Sequence, residues 1–394
     1  MGGGSGGGGS SQEQDESAKH MFDRIGKEVH DKVKGEAETY KEALKGDLSK
    51  ATYPNDRNST GSTPQDPCKL DYQYHTNVTS GFGREYPCRG KDTVRFSDTQ
   101  GSECDDRKIR DSEKKSNYGA CAPYRRLHLC DRNLENINDY SKINNTHNLL
   151  LEVSLAAKHE GEMITGYYPI YQTKYKDSPS EMCTMLARSF ADIGDIIRGK
   201  DLYRGNNKEN KQREKLEKNL KDIFGDIYNE LTRGKQNGQA LQARYKKDDD
   251  NYYQLREDWW TANRATVWKA ITCGTHEGDT YFRPTCSDNR GPSQAHHYCR
   301  CNDDQPNADK PNTDPPTYFD YVPQFLRWFE EWAEDFCRKR KHKLQNAIKI
   351  CRGENGADRY CDLNGYDCTR TAKGENKRFS NDECYKCSLP CDHF

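Results

Sequence analysis

Two runs of cations are the residues in this chain best suited to do chemistry. Lys208, Lys211, Arg213, Lys215, Lys218 and Lys221 recur at steps of two to four. On a helix that spacing makes a positive stripe able to meet successive sulfates or carboxylates of an extended acidic glycan. Arg338, Lys339, Arg340, Lys341 and Lys343 form a second run that could do the same. Against both stands the plainer reading that charge runs on amphipathic helices are solvated faces.

Metal chemistry has two candidate clusters. His296, His297, Cys299 and Cys301 form one; Cys384, Cys387 and Cys391 form the other. Thiolate and imidazole at such spacing suit tetrahedral zinc. The chain carries 17 cysteines, however, and half-cystines outweigh metal ligands at that density. The disulfide candidates are Cys68, Cys88, Cys104, Cys121, Cys130, Cys183, Cys273, Cys286, Cys299, Cys301, Cys337, Cys351, Cys361, Cys368, Cys384, Cys387 and Cys391. Pairing leaves at least one thiol over, or a partner elsewhere. No metal and no cofactor is expected.

Routes to an enzyme close quickly. A G-x-S-x-G nucleophile elbow is absent, and His159-Glu160 and His276-Glu277 lack the second histidine of a zinc protease. Arg125 and Arg126, between Cys121 and Cys130, are read as holding a loop through carboxylates or carbonyls. Trp259, Trp260, Trp328 and Trp332 could stack on sugars, but their helical spacing favours core packing.

Composition bounds the partners. Hydrophobic residues make up 32% of the 394 and charged residues another 32%, so the core must be economical. Lys plus Arg number 62 and Asp plus Glu 63, a balance that disfavours a nucleic-acid binder and confines any anion site to a local patch. The cysteine density favours an oxidising, extracellular setting. No run approaches the roughly 18 apolar residues of a membrane span, and the N-terminus has no apolar signal region. Any membrane span is expected outside this fragment.

The elements that must position these residues read as helical. Tyr318–Cys351 places Phe325, Phe329, Trp332, Phe336, Leu344 and Ile348 at helical steps, with acids before bases as the helix dipole prefers. Continuous from Gln324 to Ile350, it would be a strut of roughly 40 Å along which other segments pack. Phe22, Ile25, Val29, Val33, Tyr40, Leu44 and Leu48 make one stripe on one N-terminal helix, expected to dock on the cysteine-rich part. Leu149–Ala157 is apolar on most sides and looks central. Gly2–Ser11 has linker composition and is set aside. Pro/Asn/Ser-rich sequence near residues 53–67 and Gly/Pro/Asp-rich sequence at 273–316 mark boundaries. The expected divisions are 1–66, 67–147, 148–316 and 317–394. Sequons at Asn58, Asn77 and Asn144 mark surface positions if glycosylated.

Five blocks in a fixed order carry a resemblance. ACAPYRRLHLC, LLLEVSLAAKHEGEMI, LARSFADIGDIIRGKDLY, WWTANRATVWKAITC and YFDYVPQFLRWFEEWAEDFC, from Ala120 to Cys337, resemble the Duffy-binding-like domain, alpha class, of malaria-parasite variant surface adhesins. The likeness runs from about Cys68 to the C-terminus, behind a segment similar to the one that precedes that domain. It implies a mainly α, disulfide-rich fold of three subdomains, the first irregular and the other two helical bundles, with the N-terminal helical segment packed on it. It also implies a non-enzymatic adhesion module on the infected red-cell surface, with sequons left empty because the parasite adds few N-glycans. Relatives of this class that mediate rosetting bind heparan-sulfate-like chains, blood-group sugars or complement receptor 1. The following domain of the same protein is a further expected partner. An alternative is a structural, antigenic head that orients its neighbours. The shared blocks identify the domain and not its receptor, which favours Lys208 to Lys221 over Arg338 to Lys343 as the glycan contact.

Overall fold

The computed structural model describes residues 17–352 apart from short stretches, the longest being 55–62, 111–118 and 307–313, with side chains as far as Gln345. Gly2–Ser11, the Asn58 sequon, His296, and the side chains of Cys351, Cys361, Cys368, Cys384, Cys387 and Cys391 lie outside the described residues. The chain forms two compact units, Met1–Phe329 and Glu330–Phe394. The helices are α1 (Ala18–Ala37), α2 (Lys41–Leu44), α3 (Tyr124–Leu127), α4 (Arg132–Glu135), α5 (Thr146–Tyr175), α6 (Ser180–Arg198), α7 (Asn207–Thr232), α8 (Gly238–Tyr245), α9 (Tyr253–Ile271) and α10 (Gln324–Arg352). Among the described residues, strand is confined to two short antiparallel pairs, β1 (Thr79–Ser80) with β2 (Gly83–Arg84) and β3 (Cys286–Asp288) with β4 (Gly291–Ser293).

In the first unit α5 lies at the centre, packed on α6 and α9. Its run from Leu149 to Ala157 is fully enclosed, as an apolar-all-round segment requires. Gly161 lets α9 close on it, because a Cβ there would overlap the Ile271 carbonyl oxygen. Trp259, Trp260 and Trp328 are at most 1% exposed, so the core reading of these indoles holds; Trp332 instead stands 40% exposed.

So small an apolar share cannot fill the interior, and buried ion pairs fill the rest. Arg95 meets Glu160 at 2.9 Å, Arg264 meets Asp320 at 2.8 Å, and Arg327 bridges Asp192 and Asp195 at 2.8 and 2.6 Å. Arg125 reaches Asp192 at 2.7 Å and Arg126 reaches Asp201 at 2.5 Å, the scaffold role expected of this pair. Such pairs are costly to break one partner at a time.

Five disulfides staple the unit: Cys68–Cys273, Cys88–Cys130, Cys104–Cys121, Cys183–Cys299 and Cys286–Cys301. The first links positions 205 residues apart and removes the most freedom from the unfolded chain. Cys337 departs from expectation: it is an exposed free thiol, on the open face of α10, with no partner among the described residues.

Three further expectations are corrected. The N-terminal helix ends at Ala37 and does not run to Leu48. It docks through Asp23, Gly26, His30 and Ala37, while Ile25 and Val29 stay about 40% exposed. Asp23 accepts hydrogen bonds from the Tyr318 amide (2.7 Å) and the Tyr281 hydroxyl (3.0 Å) and pairs with Arg283 (2.8 Å). Burial raises its pKa to about 6 against those contacts, and burial lowers that of His30, lodged between Tyr318 and Tyr321, to about 4. At the start of α10, Gln324, Arg327 and Trp328 are the buried side chains, and Phe325 is 50% exposed. In the second unit Trp332 and Phe336 stack on each other, each 40–50% exposed, and Leu344 is likewise exposed, so the expected apolar stripe is not a packing face among the described residues. Asn77 is buried with its amide donating to the Thr52 carbonyl (2.8 Å), which denies a glycan access; Asn144 is exposed.

Candidate glycan-binding surface

α7 begins with a complete capping box. The Asn206 side chain accepts from the amides of Lys208 and Glu209 (3.0 and 3.1 Å), and the Glu209 carboxylate accepts from the Asn206 amide (2.8 Å). Leu216, Leu220, Ile223, Phe224, Ile227 and Leu231 bury one face of the helix. On the opposite side Lys208, Lys211, Lys215 and Lys218 are exposed at steps of three, four and three, and none pairs with a carboxylate among the described residues. The four span roughly 15 Å of helix.

Arg213 does not join them. Its side chain is 10% exposed and reaches Asp131 (3.0 Å), Glu135 (3.0 Å) and Asp201 (3.2 Å). Burial alone would lower its pKa, but Asp131, Asp201 and Glu135 hold it above the ordinary value. Its guanidinium and that of Arg126 each lie 4.9 Å from the centroid of the Tyr203 ring. Two residues beyond Lys211, Arg213 turns to the flank of the helix that faces α4, so it belongs to the scaffold. Lys221 is 40% exposed and sits 3.8 Å from Asp250.

The second run lies in the second unit and is taken separately. Arg338 and Lys339 both pair with Asp335, the latter at 2.7 Å, and are less than one-fifth exposed. Arg340, Lys341 and Lys343 are exposed. The zinc cluster dissolves where it is described, because Cys299 and Cys301 are consumed by disulfides to Cys183 and Cys286. His297 Nδ1 faces the Gly278 amide at 3.3 Å.

Sequence reasoning missed the docking residues Asp23 and His30, which a search for apolar periodicity passes over. Their spacing of seven on a helix was the available signal.

A helical, disulfide-stapled scaffold with a charged surface and no converging catalytic groups among the described residues fits a binding module. Residues 119–327 match the Duffy binding domain, 331–394 the C-terminal subdomain of the Duffy-binding-like domain, and 17–52 the N-terminal segments of PfEMP1. The chain belongs to the Duffy-binding-like family, a family of adhesion domains, and has the arrangement of the N-terminal segment and alpha-class domain of PfEMP1. The solved NTS-DBL1-alpha and CIDR-gamma double domain of PfEMP1 from the Plasmodium falciparum varO strain is 36% identical, with a TM-score of 0.76 over 96% of this chain and 52% of that one. The ICAM-1-binding PfEMP1 IT4var13 DBLbeta domain is 27% identical, with a TM-score of 0.65 over 94% of this chain and 72% of that one. The Duffy receptor of Plasmodium vivax (strain Salvador I) is 23% identical over 256 residues, covering 63% of this chain. The chain spans 18% of that receptor's length and about half of the double domain. No helix among the described residues is long and apolar enough to cross a membrane.

Proposed function

We propose that this domain is an adhesion module of the infected erythrocyte surface that binds sulfated, heparan-sulfate-like glycans through Lys208, Lys211, Lys215 and Lys218. The observation that carries the reading is the stripe itself: four exposed ammonium groups on one face of α7 with no carboxylate partner among the described residues, where most other described cations of the first unit are engaged. An unpaired surface ammonium gives up little when an anion arrives, and a row of them adds its contacts. Arg340, Lys341 and Lys343 form the secondary candidate. The divisions at 67–147, 148–316 and 317–394 are proposed as the subdomains that carry these surfaces.

A second reading has one observation behind it: a related PfEMP1 domain is ICAM-1-binding. In that reading this head engages a protein receptor such as complement receptor 1, or chiefly orients the following domain. A glycan array with the disulfide-intact domain separates the two. Retention on sulfated glycans supports the first; no retention by well-folded protein favours the second, and binding to intact erythrocytes then separates its two forms, a protein receptor where binding persists and an orienting head where cells of every blood group are left unbound.

A further inference from the structure

The Cys68–Cys273 disulfide has surroundings that the other four pairs lack. Cys88, Cys130, Cys183 and Cys299 are sealed from solvent, and Cys286 and Cys301 are at most 5% exposed. Cys104–Cys121 is open to solvent, but no described cation donates to either sulfur. Cys68 and Cys273 are both half-buried, within reach of a small solute, and Arg300 stands behind the first of them. Its Nη2 lies 3.7 Å from Cys68 Sγ while donating to the Lys269 carbonyl at 2.8 Å, and its Nε donates to Thr272 Oγ1 at 2.7 Å. These two bonds fix the guanidinium at the end of α9, beside the disulfide.

Arg300 is 2% exposed and short of negative charge. Asp304 stands 3.6 Å from its Nη1, and that nitrogen makes no hydrogen bond among the described residues. Burial lowers the pKa of this side chain against the opposing pull of Asp304 and Asp66, as expected of a buried cation whose charge is incompletely compensated. Arg95 differs: it donates to Cys130 Sγ at 3.1 Å, but Glu160 already serves it at 2.9 Å and no solute reaches the pair. The two residues before Arg300 are also strained. Tyr298 and Cys299 hold φ angles of 56° and 52°, a left-handed backbone that persists only where the surroundings fix it. A thiolate at Cys68 would supply the charge that Arg300 lacks, and a neighbouring cation makes a cysteine a better leaving group.

We propose that Cys68–Cys273 is a thiol-exchange site, where small thiols of the glutathione class form a mixed disulfide on Cys273 while Arg300 stabilises Cys68 as the leaving thiolate. The thiolate of the small molecule attacks Cys273 Sγ; a new S–S bond forms there as the Cys68–Cys273 bond breaks, and Cys68 departs with the electron pair. A second small thiolate attacks the outer sulfur of the mixed disulfide and displaces Cys273, whose thiolate takes a proton from solvent. Two small thiols are thereby oxidised to one disulfide as the protein pair is reduced. The inference does not depend on the glycan reading. Opening the bond unties the Pro67–Lys69 turn from α9 and leaves residues 63–86 to noncovalent contacts, among them those of Thr76 and Asn77 with Glu152 at 2.8 and 2.7 Å.

The test treats the disulfide-intact chain, its free Cys337 first blocked with iodoacetamide, with millimolar reduced glutathione, quenches with N-ethylmaleimide and maps the peptides over time. Glutathione on Cys273 with maleimide on Cys68 is expected to appear about tenfold or more faster than any product of the three buried pairs. Amide exchange across residues 63–86 should quicken in the opened protein. Arg300→Gln is expected to slow the Cys273 adduct severalfold and to divert part of it to Cys68, whereas Arg300→Lys, which keeps the cation, should recover much of the rate. A merely structural Arg300 would do the opposite, since loosening the site would speed opening in both variants. An Arg300→Gln protein that exchanges as fast as the wild type, or faster, overturns the proposal. So does wild-type adduct shared equally between Cys68 and Cys273, or opening no faster than that of the buried pairs, whether or not the variants fold.

Discussion

Arg213→Ala separates scaffold from ligand contact on α7. Removing this guanidinium leaves Asp131, Glu135 and Asp201 short of a partner in a site where the first two are at most 1% exposed. Breaking one side of a buried ion pair costs about 3–5 kcal/mol. The low end applies here, because Lys91 still serves Asp131, Arg132 still serves Glu135 at 2.8 Å, and Arg126 still serves Asp201. The expected loss is therefore about 3 kcal/mol. Lys211→Ala, two residues away on the solvent side, should change stability by less than about 0.5 kcal/mol. Urea unfolding of the disulfide-intact chain, followed by tryptophan fluorescence, reads both. At temperatures where both variants are folded, heparin retention should fall for Lys211→Ala and hold for Arg213→Ala. An Arg213→Ala protein as stable as the wild type, or one that loses as much heparin retention as Lys211→Ala, would refute the assignment.

Three other perturbations follow from the packing. Gly26→Ala should lift α1 from Tyr318, costing about 1–3 kcal/mol of docking, visible as faster amide exchange across residues 18–37. Exchange unchanged from the wild type would mean that α1 docks some other way. Glu152 is fully buried against Thr76, Asn77 and Asn133, and burial raises its pKa from 4.5 to about 7. The folded state then holds more protons than the unfolded one between those values, so this group's contribution to stability falls as pH rises through that window. Glu152→Gln should flatten the pH dependence of urea stability from about pH 4.5 to 7; an unaltered slope would assign that dependence to other groups. Among the described cysteines, iodoacetamide on native protein should label Cys337 and none of the five pairs, as peptide mapping would show.

Helical periodicity made the central helices and the aliphatic face of α7 legible, because apolar residues at steps of three and four have no other economical explanation. The resemblance supplied the fold as a whole. What stayed hidden is polar. α1 shows an apolar stripe in its sequence yet docks by Asp23, Gly26 and His30, since its partner surface offers the Tyr318 amide, Arg283 and tyrosine rings in place of an aliphatic groove. Arg213 reads as one more cation of a stripe, although it stands three and seven residues before Leu216 and Leu220 of the apolar face; what the sequence hides is its carboxylate partner on α4, 78 residues away. The aromatic residues of α10 scan as a packing stripe but stand half-exposed among the described residues.

The central claim is that the exposed lysines of α7 bind sulfated glycan. The most direct measurement is heparin-column retention against salt, comparing wild type with the fourfold variant Lys208→Glu, Lys211→Glu, Lys215→Glu and Lys218→Glu. A matched reversal at Arg340, Lys341 and Lys343 serves as the comparison. The account predicts wild-type elution above physiological ionic strength, a fall to below it for the α7 variant, and little change for the α10 variant. Wild-type elution at or below physiological ionic strength, or an α7 variant that elutes with the wild type, would contradict it.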